Sequence, residues 1–220
     1  MNELRIPSHV GKTPAEIVAI EQLDAGGLFW KSMAWLDYFE RKPIFSPLLY
    51  ACADARYGVQ YLLFEELVIS TGANLSQADY RRCVSERNRF IKTIDQLTPD
   101  YLLLKRFTKL VASLEPRAPK LIDWNLKQLM RDWGALSHFL HWVGARGLTT
   151  EDGEWLVGAH KKILATVKPL WVNVTSGRSA MLHPKDMHPI AKGVWEQFKR
   201  GEINESTVKF QLTVLRPAGA

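Results

Sequence analysis

Apolar residues recur at steps of three and four along most of the chain, the period of helices with one face turned to a core. The cleanest stripe is Ile122, Leu126, Leu129, Trp133, Leu136, Leu140 and Val143, predicting a helix over Asp123 to Val143. A second long helix is predicted over Leu48 to Ile69, with Leu49, Cys52, Arg56, Val59, Leu63, Glu66 and Ile69 at helical steps. Its broad apolar side gives it a central place, and Thr71-Gly72 stops it.

Caps and breakers divide the rest. Thr13-Pro14-Ala15-Glu16 reads as a capping box that opens a short helix to Asp24. Gly26-Gly27 predicts a break before a second piece, Leu28 to Arg41, which ends ahead of Pro43. Ser76-x-x-Asp79 opens a helix to Leu97. Thr98-Pro99-Asp100 opens the next, to Leu114, with Leu103, Phe107, Leu110 and Leu114 inward and Lys105 and Lys109 outward. Pro116 and Pro119 form a stiff connector.

From Thr150 a helix carries Trp155, Leu156, Ala159, Ile163 and Val167 to its expected end at Pro169. Val172 to Pro189, rich in Ser, Gly, His and Pro, reads as a long loop, and Ile190 to Arg200 as a short helix closed by Gly201. Asn204 to Leu215 is ambiguous. Val208, Phe210, Leu212 and Val214 alternate like a strand, whereas Val208, Leu212 and Leu215 suit a helix. The cap at Asn204 and a staple of Ile203 onto Val208 favour a helix for its first half. Sequential helices with short loops imply an all-α antiparallel helical bundle with a small C-terminal helical appendage. Residues 1–12 read as a flexible tail, 13–171 as the bundle, and 172–220 as loop plus a small helical region.

Composition changes this picture little. Length and apolar content suit one sizeable core, or one domain plus a small appendage. Twenty-nine Lys and Arg against 23 Asp and Glu favour a polyanionic partner such as RNA without identifying one. The most basic helix carries Arg81, Arg82, Arg87, Arg89 and Lys92, read either as a solvated face paired with Glu86 and Asp95 or as a phosphate-tracking surface. Two cysteines, Cys52 and Cys83, lie within helices and without metal-ligand spacing, which argues against a disulfide framework and fits a reducing compartment. The amino terminus has no apolar leader and no stretch is long and apolar enough to span a membrane, so a cytoplasmic protein is expected.

Chemistry concentrates on the Asp123 to Val143 stretch. Arg131 and His138 lie seven residues apart, almost two turns, which stacks their Cα atoms roughly 10.5 Å apart along the axis. Gly134 and Ser137 fall near the line between them and suggest a shallow notch. Lys127 and His141 lie one turn outside the pair. His138 and His141 are spaced for a metal but lack a neighbouring carboxylate, and a third ligand would have to come from as far away as His160; no metal and no cofactor is expected. The tryptophans, among them Trp30, Trp35, Trp133, Trp142, Trp155 and Trp195, fall mostly on apolar faces and read as core. The Gly201 turn between two C-terminal helices suggests a helix-turn-helix only faintly, since the second lacks a basic face.

Arg131-Asp132, five further residues and His138 match the Arg, four to six residues, His pattern, with a polar residue after the Arg, of the HEPN superfamily, and the stretch resembles helices of that group. The resemblance covers at most residues 28–145. It implies a helical bundle, a metal-independent endoribonuclease with Arg131, His138 and Asp132 as its catalytic set, and a homodimer joining two copies of the motif. It also implies a toxin, phage-defence or stress setting, with an antitoxin or other protein partner. Lys127, His141, Arg82 and Arg89 are the candidate RNA contacts. Arg178 to His183 repeats the spacing, with four intervening residues, inside the expected loop and without the polar neighbour. The competing reading is a non-catalytic helical module that binds protein or nucleic acid, and a third is a DNA-binding regulator using the C-terminal region.

Overall fold

The computed structural model describes residues 11–13, 15–17, 24–85, 89–146 and 153–215. It is all-α. The helices are α1 (Ala25–Arg41), α2 (Phe45–Thr71), α3 (Gln77–Ser85), α4 (Arg89–Leu97), α5 (Tyr101–Ala112), α6 (Leu126–Arg146), α7 (Gly153–Ser176), α8 (Pro189–Lys199) and α9 (Glu205–Val214), with a 3-10 turn at Pro184–Asp186. Among the described residues the only extended pairing is one parallel bridge between Leu121 and Arg178. No helix of the described residues is long and apolar enough to cross a membrane.

The chain forms two compact units. One comprises Met1–Ala19, Glu66–Asp123 and Arg178–Ala220. Its core joins Leu104, Phe107 and Leu110 of α5 to Met187, Val194, Trp195, Phe198 and Val208. The Phe107 ring meets Trp195 edge-on at 5.3 Å and Phe198 at 6.0 Å. Residues 178–215, read from the sequence as loop and appendage, therefore supply five of the eight buried residues of that core. Ile203 packs against the same cluster as Val208, and Asn204 accepts from the Thr207 amide, so the C-terminal segment is helical throughout, not only in its first half. The strand-like alternation loses because both caps and burial of Val208 favour the helix.

The other unit comprises Ile20–Glu65 and Trp124–Gly177. Here α1 lies against α7, and the ring of Phe39 stacks on buried His160 at 5.0 Å. Phe29 packs onto Gly58 of α2 so closely that a methyl group there would sit 2.9 Å from the ring. Buried Ser32 donates to the Ala51 carbonyl at 2.8 Å, closing the α1–α2 contact without an orphaned hydroxyl.

Several boundaries differ from expectation. Gly26 and Gly27 lie inside the first turn of α1, because Asp24 caps that helix by accepting from the Gly27 amide. Helix α2 starts at Phe45 and ends at Thr71, where Gly72 and Ala73 take positive φ and the Ala73 amide returns to the Val68 carbonyl. Pro169 does not end α7, which runs on to Ser176. Loss of the amide bond to residue 165 is offset by burial of Val167 and Leu170 on either side of the ring. The helix expected from Ser76 to Leu97 is described as α3 and α4, with residues 86–88 outside the description. The Thr13–Glu16 capping box forms, with the Thr13 amide donating to the Glu16 carboxylate at 2.7 Å.

Lys105, expected to face out, is buried. Its Nζ lies 3.2 Å from Glu66 Oε2, 2.9 Å from Tyr101 Oη and 3.5 Å from Asp123 Oδ1. Tyr101 Oη donates to the same Glu66 oxygen at 2.6 Å. Burial and the Glu66 charge both push the Tyr101 phenol far above its ordinary value, so it stays a donor. For Asp123 burial pushes the carboxyl up. The hydrogen bond from Lys109 and the charges of Lys105 and Lys109 outweigh this and hold it below its ordinary value.

Candidate functional site

Helix α6 starts at Leu126 because Asn125 caps it, its Oδ1 accepting from the Gln128 amide at 3.1 Å. The apolar stripe turns Leu126, Leu129, Met130 and Leu136 inward and leaves Trp133 and Leu140 half-buried. This orientation fixes where the polar edge points. Lys127, Arg131 and His138 are all exposed on it, and none makes an ion pair among the described residues. Arg131 bends back to the Lys127 carbonyl, its Nε at 3.4 Å.

Asp132 is half-buried and lies to one side of that edge. Its hydrogen bond comes from Gln128 Nε2 at 2.8 Å, not from the Arg131 guanidinium. Burial pushes its carboxyl above the ordinary value, against the Gln128 bond and the Arg131 charge. The expected notch at Ser137 is engaged by a residue from α2: Arg56 Nε donates to Ser137 Oγ at 2.9 Å. The Arg56 guanidinium lies over Trp133 at 5.1 Å and over Tyr57 at 5.5 Å.

His138 stands at the rim of a cavity of about 430 Å³ between α6 and α7. Its floor is apolar, with buried Cys52, Leu136 and Ile163, and one wall carries the rings of Phe139 and Trp155, stacked at 5.7 Å. Exposed Lys162 of α7 lines the opening with His138, and no Asp or Glu among the described residues lines the cavity. Burial pushes the Cys52 thiol up to about 12, so it is an inert part of the floor and not a nucleophile.

The remaining candidates are dispersed. Arg82 is exposed on α3 and Arg89 half-buried on α4, both in the other unit from α6. His141 lies on α6, but its side chain is outside the described residues, as are those of Arg81 and Arg87. The second Arg–His match has structural work: the Arg178 backbone pairs with residues 120–122, and His183 Nδ1 accepts from the Lys185 amide at the start of the 3-10 turn. His160 stacks on Phe39 with Nε2 3.7 Å from Glu40 Oε1. No group of three or more His, Cys, Asp and Glu among the described residues could hold a metal ion.

Trp30 corrects the core reading of the tryptophans, being 59% exposed on α1. With Trp35, Tyr38 and Tyr50 it lines an open groove that also carries Lys31 and Arg41. Trp195 and Trp124 are buried as a core assignment requires, and the Trp142 side chain lies outside the described residues. Sequence reasoning missed Arg56, Lys162 and the cavity. Arg56 had left a signal, one of two charges on a largely apolar stripe, whereas Lys162 looks in sequence like any exposed helix lysine.

Comparison with models of protein families, with curated proteins and with solved structures finds no match to this chain.

Proposed function

We propose that the chain is a metal-independent endoribonuclease, with Arg131 and His138 of α6 as its catalytic residues. The observation that carries this reading is their common exposure on one edge of a firmly packed helix, free of ion pairs among the described residues. A pair consumed by buried salt bridges could not meet a phosphodiester. In this reaction the 2′-hydroxyl of RNA attacks the adjacent phosphorus, the bond to the 5′-oxygen breaks, and a cyclic phosphate and a 5′-hydroxyl result. His138 in one copy takes the 2′ proton, and in a homodimer the second His138 returns a proton to the departing oxygen. Such proton transfer contributes about 10²- to 10⁴-fold. Arg131 holds the phosphate and balances the charge of the five-coordinate state. Asp132, bonded to Gln128, acts on Arg131 through charge alone. The HEPN resemblance supports the dimer, the toxin or defence setting and the need for a restraining partner.

The test is incubation of purified protein with mixed RNA in EDTA. Wild type cuts, and Arg131→Ala and His138→Ala each lose about 10²-fold or more. Equal behaviour of all three removes the enzyme reading. A second reading, a non-catalytic module that binds protein or nucleic acid, is favoured by the exposed aromatic groove at Trp30, Trp35, Tyr38 and Tyr50.

A further inference from the structure

Gly158 lies in the interior of α7 on the wall of the cavity beside His138, and a Cβ added there would meet nothing within 4 Å. Glycine at such a position weakens a helix relative to alanine, and here neither a turn nor a close neighbour requires it. Its effect is to keep the cavity open. The opening carries exposed His138 and Lys162, and among the described residues no carboxylate lines it. The lining also presents the Phe139 and Trp155 rings. A volume of about 430 Å³ lies within the range of sites for small ligands.

An apolar slot with an aromatic wall and the Lys162 ammonium at its mouth fits a flat heteroaromatic ring joined to an anion. We propose that this cavity takes one unpaired nucleotide of an RNA strand, its base against Phe139 and Trp155 and its phosphate at Lys162, with His138 beside the neighbouring linkage. Lys162 is then a substrate-binding residue of the site, contributed by α7. The inference rests on the ribonuclease reading for the choice of RNA, but the cavity can be tested apart from cleavage.

The probes are a 2′-deoxy trinucleotide, which lacks the attacking hydroxyl and cannot be cut, uridine monophosphate and inorganic phosphate. Binding is followed by calorimetry on wild type, Gly158→Leu and Lys162→Glu, each checked by thermal unfolding. Gly158→Leu puts a branched side chain on the cavity wall and improves helix propensity, and its thermal unfolding checks that the fold is kept. It is expected to weaken the trinucleotide by about 5- to 150-fold, the range for loss of one base stacked on aromatic side chains. Lys162→Glu weakens it also, and inorganic phosphate alone does not compete at equal concentration. Equal binding by wild type and Gly158→Leu, or no binding by wild type at millimolar trinucleotide, overturns the proposal. Uridine monophosphate bound without the trinucleotide overturns the assignment to an RNA strand. Slot-dependent binding without RNA cleavage removes the ribonuclease reading and leaves the nucleotide site. Cleavage that Gly158→Leu and Lys162→Glu leave unchanged removes the site and leaves the ribonuclease.

Discussion

Replacing Lys105 by Met tests whether its buried cluster is the polar keystone of its unit. Lys105 and Glu66 are only 6% and 3% exposed, and the Glu66 Oε2 oxygen receives both the Lys105 ammonium at 3.2 Å and the Tyr101 hydroxyl at 2.6 Å. Lys105→Met keeps most of the side-chain volume but leaves the Glu66 carboxylate with only the Tyr101 bond among those described here. Removing one member of a buried pair costs about 3–5 kcal/mol. For a chain of this size each kcal/mol moves the melting temperature by about 2–4 °C, so a fall of roughly 6–20 °C is expected. Glu66→Leu added to Lys105→Met removes both charges. The remaining cost is then the orphaned Tyr101 hydroxyl, about 1–3 kcal/mol, and the double variant should be more stable than Lys105→Met alone. Asp123 retains Lys109 in every variant, so its own loss is small. Urea and thermal unfolding followed by circular dichroism measure the cycle. A Lys105→Met cost below about 1 kcal/mol, or a double variant equal to the sum of the singles, would refute this account.

Gly58→Ala places a methyl group 2.9 Å from Phe29 ring carbons. Overpacking at about 1–3 kcal/mol outweighs a helix-propensity gain of at most about 1 kcal/mol, so a lower urea midpoint is expected, and a higher one would show that Phe29 yields freely. His183 is held below its ordinary value of 6.5, first by burial and then by the Lys185 charge. A depressed folded pKa contributes stability above the unfolded value and loses it as pH falls through 6.5 and on to the folded value. His183→Gln should therefore flatten the loss of thermal stability on acidification below that point, and an identical pH profile for both proteins would remove the assignment.

The sequence made the helices legible wherever a cap and an apolar stripe agreed. Ser76 with Asp79 and Asn204 with Val208 behave as their side chains dictate, and Gly201, which has none, takes a positive φ after α8. It failed where tertiary burial overrode local chemistry. Pro169 stays within α7 because Val167 and Leu170 beside it are buried, a fact external to the proline. Lys105 points inward because Glu66, far away in sequence, is itself buried. The two charges on the α2 stripe, Arg56 and Glu66, were the readable warning, since a charge on a core face needs a partner from another helix. Which partner cannot be read from spacing alone. For the candidate site, the edge carrying Arg131 and His138 followed from helical periodicity. The cavity did not, because it exists only where α7 passes beside α6.

The bridge between Leu121 and Arg178 gives this architecture a built-in reporter. The Ile122 amide donates to the Arg178 carbonyl at 3.0 Å, and the Arg178 amide to the Lys120 carbonyl at 2.9 Å. These bonds join the chain just before α6 to the chain just after α7, so they close a long excursion at its base. Neither amide belongs to a helix that could protect it by local hydrogen bonding. Their exchange with solvent deuterium therefore registers opening of that closure itself. Slow exchange at Ile122 and Arg178 marks the moment at which both ends of the excursion are in place, an event that helix content alone does not record.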